Sequence, residues 1–272
     1  TAEVLTFSRL ADRVFAVVGG LAQQMLTPAG QLLTLQEAAR RVQVGLTAWS
    51  GLADKPELLS ETLALIDECK SCMIEPEMLF RASEESALDE DAALSAKLCD
   101  LAQILTQYDS LCEETLPDPR DRLTHLRDGL AESHVLDGAE VYLDGFLSYT
   151  PQELAIIEVM LSSGVPLTAA VTCDVELPDV FVTGCRTLRT LTRMAERCSR
   201  SPELVDLGAG KMPRPAGLAA VANEALLPVR EAHEDASGVR LYEAASPFDE
   251  CEHATAYIRR KVRDEGAHYR DF

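Results

Sequence analysis

The chain has 272 residues, 47% of them hydrophobic, and a mean hydropathy of −0.02, a profile typical of an ordinary globular protein. Its formal net charge of −20 disfavours tight nucleic-acid binding by the chain as a whole, because lysine and arginine supply most of the affinity for phosphates. The sequence contains no run of about 18 apolar residues and no secretory signal, so we expect neither a membrane span nor export.

The first 30 residues predict a strand followed by a helix. Residues 4–7 form a short apolar stretch, and Ser8 directly after them is a candidate N-cap. Apolar residues then recur at spacings of four, three and four, which places them on one helical face: Leu10, Val14, Val17 and Leu21. Two glycines at 19 and 20 indicate the end of this helix.

Residues 31–137 predict a helical block without a clear strand. Thr34 and Glu37 have the spacing of a capping box, which predicts a helix from Thr34 to about Ser50. A long helix is expected from about residue 86 to 115, because leucines follow a helical spacing there and prolines come directly after it.

After residue 138 the apolar pattern changes from helical spacing to short continuous runs. Residues 140–144 and 167–172 predict buried strands, and Thr150 with Glu153 predicts a capped helix between them. Further elements are expected in this order: a helix over 187–198, a strand over 204–207, a loop over 208–217, a helix over 217–227, a strand over 239–242 and a helix over 248–264.

The alternation of strands and helices around a helical insertion predicts an α/β fold with a parallel sheet. The sheet domain is discontinuous, since it uses residues 1–30 and returns over 138–235. The helical block of 31–137 is inserted into it, and residues 236–272 add a strand and a helix.

Asp144 is the most informative candidate site, because it ends an apolar strand, where ligands of open α/β sheets bind. A carboxylate at this position can hold Mg²⁺ beside nucleotide phosphates, although a turn acid before Gly145 is the simpler interpretation. The sequence has no G-x-x-x-x-G-K-[ST] loop, and Gly145 stands where an active helicase-type ATPase has a glutamate. We therefore expect no catalytic residue in this chain.

Arg186, Arg189 and Arg193 recur at spacings of three and four, so they form one stripe on a predicted helix. Such a stripe either contacts DNA phosphates or pairs with nearby acids, and the sequence leaves both open. No metal site is expected, because Cys69 and Cys72 form a C-x-x-C without a second ligand pair and the five histidines show no ligand spacing.

Three stretches, taken together, resemble the B subunit of AddAB-type helicase–nucleases (AddB or RexB), which are relatives of superfamily 1 helicases. Residues 3–15 are similar to the strand and helix of helicase motif Ia. Residues 141–154 resemble the family's degenerate motif II, which keeps the aspartate and loses the following acid. Residues 248–271 resemble the start of the second helicase-like half. The resemblance implies a P-loop-helicase-like 1A domain without its phosphate-loop strand, a helical 1B insertion over 31–137, and a degenerate Walker B position at Asp144 and Gly145.

The resemblance also implies a biological role. The family processes DNA double-strand breaks for recombination in the bacterial cytoplasm, with an A subunit as the partner in a heterodimer. Its B subunit scans single-stranded DNA for the Chi sequence, and the family uses ATP, Mg²⁺ and a 4Fe-4S cluster. This chain lacks the phosphate loop, the nuclease motif and the cluster cysteines. We therefore expect an inert internal fragment that carries none of these cofactors, contacts the A subunit and helps to bind DNA.

Two alternatives remain open. The first is a true superfamily 1 ATPase or helicase truncated at its nucleotide loop, against which Gly145 argues. The second is an acidic, helical protein-interaction module unrelated to helicases. A structure without strand 141–144 beside strand 167–172 would favour this second alternative.

Overall fold

The computed structural model describes residues 2–175, 177–207, 214–225 and 232–272. Helices dominate these residues, and two short strands, β1 (Val141–Leu143) and β2 (Leu167–Ala169), form a parallel pair. The α-helices of the described part are α1 (Phe7–Val18), α2 (Pro28–Val42), α3 (Pro56–Ser71), α4 (Pro76–Leu88), α5 (Ala92–Glu114), α6 (Arg122–Ser133), α7 (Pro151–Ser163), α8 (Val182–Arg197), α9 (Ala216–Glu224) and α10 (Pro247–Glu265). Among them, no helix combines the length and the apolarity that a membrane crossing requires.

The chain divides into two compact units, Thr1–Glu203 and Leu204–Phe272. The first unit contains both strands, α1 to α8 and the three apolar clusters of the protein's described part. In the second unit α10 begins at Pro247 with Ser246 as its N-cap, and no residue of that helix is buried.

The strand predicted over residues 4–7 is wrong. These residues precede α1, which begins at Phe7 with Thr6 as its N-cap, and the Thr6 hydroxyl accepts a hydrogen bond from the backbone of Arg9. Val4 is 92% exposed, and no described strand lies beside it to satisfy the backbone of an extended segment. The predicted apolar face of the helix is partly confirmed, because Leu10 and Val14 are buried whereas Val17 is exposed.

Residues 31–137 contain helices and no strand, as predicted, with two corrections to the helix boundaries. Thr27 caps the first helix of the block and Pro28 begins it, so the predicted start at Thr34 falls inside α2. The long helix predicted over 86–115 is interrupted before Asp91, whose side chain accepts from the Leu94 backbone and caps a separate helix, α5. A carboxylate at an N-cap satisfies the first free N–H groups, which makes this break stable.

A buried carboxylate fixes the connection between α2 and α3. Asp100 on α5 is only 1% exposed, and its oxygens accept hydrogen bonds from the backbone N–H groups of Thr47 at 3.0 Å and Trp49 at 2.9 Å. Because buried backbone donors need partners, this single side chain holds the loop after α2 against the long helix.

Lys70 on α3 lies at the centre of a group of carboxylates, which we call the Lys70 cluster. Its ammonium lies 2.8 Å from Asp109 and Asp121 and 3.4 Å from Asp118, which is fully buried. Burial alone would lower the pKa of Lys70, but Asp109 and Asp121 outweigh it and raise that pKa above its ordinary value. The cluster connects α2, α3 and α5 to the segment that enters α6, since Gln31 on α2 also donates to Asp118 at 3.0 Å.

The parallel pairing predicted for residues 141–144 and 167–172 is confirmed over three residues of each strand, with Val141 opposite Leu167 and Leu143 opposite Ala169. The helix between the strands is α7, and its capping box at Thr150 and Glu153 forms as predicted. One side of the sheet packs on apolar residues of α1, α6, α7 and α8, among them Val14, Leu126, Ile157 and Met194. The other side is open, because Tyr142 is 69% exposed and its neighbour across the pair, Thr168, is also exposed.

The strands predicted over 204–207 and 239–242 are wrong. Both segments lack regular secondary structure, and Leu204 and Leu241 are 68% and 99% exposed. Apolar composition alone does not make a strand without a neighbour to pair with. The helices predicted near 217–227 and 248–264 correspond to α9 and α10; residues 226–227 and most of the predicted loop 208–217 lie outside the described residues.

Candidate nucleic-acid interface

Asp144 follows β1 directly, outside any helix, with an exposed side chain. Gly145 comes next with φ +80°, a left-handed conformation that glycine adopts without strain, so the chain turns sharply at the strand end. Phe146 then stacks on Tyr149 at 5.0 Å between ring centroids and meets Phe7 edge-on at 5.7 Å. The end of β1 therefore lies beside the start of α1, although α1 is not preceded by a strand.

The described residues do not fit a Mg²⁺ or iron–sulfur site. Asp144 stands without a second acid after it, and nowhere in the described ranges do three His, Cys, Asp or Glu side chains come together as a metal site. Cys69 is buried in the apolar cluster of the helical block, and burial raises the pKa of its thiol. Metal binding needs the thiolate, so this environment disfavours it.

The N-terminal turn of α8 packs against the segments that follow both strands. A Cβ on Gly184 would lie 2.1 Å from the Thr172 carbonyl oxygen, so only glycine allows this close approach to the segment after β2. The Thr187 hydroxyl donates to the Leu147 carbonyl at 2.8 Å and fixes the helix to the segment after β1. The helix begins at Val182, five residues before the predicted start, and this additional turn carries Arg186.

Arg186, Arg189 and Arg193 are exposed on the side of α8 that faces away from the buried residues Thr187, Met194 and Ala195. None of the three forms an ion pair with a side chain of the described ranges, although pairing with acids was one of the two expectations. The Arg189 Nε donates instead to the Cys185 carbonyl of its own helix at 3.1 Å. The three guanidinium groups therefore keep most of their hydrogen-bond donors for solvent or for a ligand.

Sequence reasoning missed the continuation of this stripe. Arg197 follows at a further spacing of four, which the same helical rule could have found, and Arg200 comes three residues later, beyond the end of α8. Arg197 pairs with Glu158 on α7 at 3.3 Å, and the Arg200 Nε donates to the Leu161 carbonyl at 3.1 Å. We call the five exposed arginines 186, 189, 193, 197 and 200 the arginine stripe. Glu196 is the only acid among residues 182–200.

The chain matches known proteins over nearly its whole length. The family model described as "ADDB, N-terminal" matches residues 1–212. A relative from Acetivibrio thermocellus, named as the B subunit of an ATP-dependent helicase/deoxyribonuclease, is 28% identical over 295 residues, which cover 99% of this chain and 24% of the relative.

Two further relatives carry the same name. The protein from Symbiobacterium thermophilum is 37% identical over 164 residues, covering 60% of this chain and 14% of the relative. The protein from Thermoanaerobacter sp. is 27% identical over 280 residues, covering 99% of this chain and 24% of the relative. The chain spans 14% to 24% of the length of these relatives. Because the family model covers most of its residues, the chain belongs to the AddB family.

Proposed function

We propose that this chain is a non-catalytic, helicase-like part of a protein that processes DNA double-strand breaks for recombination in the bacterial cytoplasm. In this proposal it contacts the A subunit of a heterodimer and binds single-stranded DNA as the strand is scanned for Chi. The relatives are named as the B subunit of a helicase/deoxyribonuclease, which supports a DNA substrate and a second subunit. The arginine stripe is the observation that carries the DNA contact.

The stripe supplies what the chain as a whole lacks. The formal net charge is −20, yet residues 182–200 hold five arginines and one glutamate on and directly after one helix. The Cα positions of Arg186 and Arg197 are separated by about 16 Å along an α-helix at 1.5 Å per residue, so the stripe can follow several phosphates of one strand. A local basic face of this kind attracts a polyanion even on an acidic protein, because salt screens the more distant charges.

The absence of catalysis is part of the proposal. Gly145 offers no carboxylate to orient an attacking water beside Asp144, and the sequence contains no phosphate-binding loop. We assign no cofactor to this chain and regard Asp144 and Gly145 as a degenerate Walker B position. The alternative of a helical module unrelated to helicases is disfavoured by the parallel pairing of β1 with β2.

The DNA contact is tested by measuring the affinity of the chain for a fluorescent single-stranded oligonucleotide over a range of salt concentrations. A triple variant, Arg186→Gln, Arg189→Gln and Arg193→Gln, removes three guanidinium groups from the stripe. We expect weak binding by the unaltered chain, and a salt dependence that becomes shallower by about 2 in log–log slope in the variant.

The matched control removes three exposed cations that face solvent elsewhere: Arg40→Gln, Arg81→Gln and Lys97→Gln on α2, α4 and α5. Both triple variants change the net charge equally, so the comparison isolates the position of the charge. If the control weakens binding as much as the stripe variant, the stripe is not the DNA contact and the proposal is wrong.

A further inference from the structure

The hydrophobic interior of the first unit has two separate parts. We call α2 to α5, residues 28–114, the helical body, and α1, β1, β2 and α6 to α8 the sheet body. The two apolar clusters of the sheet body share three partly buried residues, Phe7, Val141 and Leu167. Among the described residues, the cluster of the helical body shares none with them, because all its members lie within residues 26–112. Each body therefore has a core of its own.

The junction between the two bodies is polar and follows the connector between α5 and α6. Lys70 of the helical body pairs across this junction with Asp121 at 2.8 Å. Asp67, one turn earlier on the same helix, pairs across it with Arg120 at 2.6 Å. The connector is also fixed to the sheet body, because the Gln152 side chain on α7 donates to the Arg120 carbonyl at 3.0 Å. Ion pairs thus join the bodies where a continuous apolar core would otherwise do so.

Beside this junction the bodies are separated by open space. A groove of about 830 Å³ lies between α6, α7 and α8, and Met73, which follows the end of α3, lines it from the helical body. Arg127, Glu158 and Met194 are among the residues that line it from the sheet body. Protein interiors are normally close-packed, so a gap of this size leaves room for one body to move against the other.

The connector between α1 and α2 has the composition of a hinge. It begins with Gly19 and Gly20, which both have φ +98°, and glycine changes its backbone angles more readily than any other residue. The two connectors also contact each other, since the backbone N–H of Leu26 donates to the Pro117 carbonyl at 3.0 Å. The chain therefore enters and leaves the helical body at one place, about which that body can rotate.

We propose that the helical body turns as a unit on these two connectors, and that the ion pairs Lys70–Asp121 and Asp67–Arg120 are the latch that holds it closed. Domains joined by a polar interface normally move relative to each other, because water solvates the charged groups when the interface opens. Lys70 then still has a partner in its own body, since Asp109 on α5 lies 2.8 Å away. Rotation moves Met73 relative to α7 and α8 and changes the width of the groove beside the arginine stripe.

The inference concerns the chain without a ligand, so its test needs no DNA. Double electron–electron resonance measures the distance between spin labels on two exposed residues, Leu88 on α4 and Glu132 on α6. The labels are attached through unnatural amino acids, which leaves the eight cysteines unmodified. The double variant Asp67→Asn and Asp121→Asn removes both ion pairs of the latch. If each pair favours the closed form about threefold, the ratio of long to short distances rises about tenfold.

The matched control, Asp109→Asn with Glu37→Gln, removes two carboxylate charges from ion pairs that lie within the helical body. Asp109 is as close to Lys70 as Asp121 is, at 2.8 Å, and their side chains are 37% and 33% exposed. We expect the control to leave the distance distribution unchanged. The proposal is wrong if the latch variant keeps the distribution of the unaltered chain, or if both double variants broaden it equally.

A measurement on the unaltered chain covers the case in which a variant fails to fold. Trp49 is the only tryptophan of the sequence and packs against the apolar cluster of the helical body, so its fluorescence reports the unfolding of that body. Far-ultraviolet circular dichroism reports the helices of both bodies. We expect the two signals to have different midpoints in a urea titration, because each body has its own core. Coincident transitions would show one cooperative core and overturn the hinge.

The outcomes leave the proposed function separate. A helical body that does not move would not affect the contact between DNA and the arginine stripe, which lies entirely on the sheet body and directly after it. Loss of that contact would equally leave the hinge in place.

Discussion

Replacing Lys70 by methionine should destabilise the first unit strongly, because it removes the cation from the Lys70 cluster while keeping most of the side-chain volume. Asp109, Asp118 and Asp121 would then share a largely enclosed space without a counter-charge. Breaking a buried ion pair by removing one partner costs about 3–5 kcal/mol. The side chains of Asp109 and Asp121 are 37% and 33% exposed, so solvent relieves part of the repulsion and we expect the lower end, about 3 kcal/mol.

For a unit of this size, 1 kcal/mol corresponds to a shift of about 2–4 °C in melting temperature, which gives an expected decrease of about 6–12 °C at neutral pH. Circular dichroism during thermal unfolding measures it. Lys97→Met on α5 removes an exposed lysine instead and is the matched control, for which we expect a change below about 0.5 kcal/mol. A Lys70→Met variant that melts with the control would refute the reasoning.

The stability of the Lys70→Met variant should also depend on pH, and the direction of that dependence is an independent test. Burial raises the pKa of Asp109 in the folded chain, so its protonated form is favoured there and stability is lost as pH rises through that pKa. Without Lys70 the destabilisation by ionised Asp109 grows. The deficit in unfolding free energy of the Lys70→Met variant, relative to the unaltered chain, should therefore shrink as pH falls from 7 to 5. Lys70 itself has a raised pKa, so in the unaltered chain its contribution is fully present below about 10.5 and is lost only above that value. A deficit that widens on acidification would contradict this assignment.

Two further expectations concern Asp100 and Asp144. Asp100→Asn should lower the free energy of unfolding by about 1.5–3 kcal/mol in urea titrations, because an amide group replaces one oxygen that accepts from the Thr47 and Trp49 backbones. An unchanged urea midpoint would show that the loop holds without this charge. The purified chain should not hydrolyse ATP above background in a phosphate-release assay with DNA present, since Gly145 and the missing phosphate loop leave no positioning machinery. Turnover that disappears in an Asp144→Ala variant would count against this expectation.

Local signals in the sequence predicted the elements that local chemistry determines. Thr150 and Glu153 form their capping box, and the apolar run at 141–143 forms a strand with an aspartate after it. The same reasoning placed strands over 4–7 and 239–242, where the chain has apolar residues but no described neighbour to pair with. A strand depends on a partner far away in sequence, which a local pattern does not contain.

The candidate site was predictable to the same extent. The spacing of Arg186, Arg189 and Arg193 gave the stripe, because a helix repeats within a few residues. The groove between α6, α7 and α8 was not predictable, since it brings Met73, which follows the end of α3, close to Met194, with more than a hundred residues between them. The role of Gly184 was not predictable either, because it depends on the close approach of the Thr172 carbonyl from another segment.

The open side of the β1–β2 pair has a practical consequence for anyone who purifies this chain. Parallel sheets are normally enclosed on both faces, and strand edges with unused N–H and C=O groups template pairing with other molecules. In the described part of the chain, the ring of Tyr142 on β1 is exposed, and the outer edge of β1 has no hydrogen-bonded strand beside it. Concentrated samples should therefore self-associate, so biophysical measurements belong at low micromolar concentrations, with light scattering as a check.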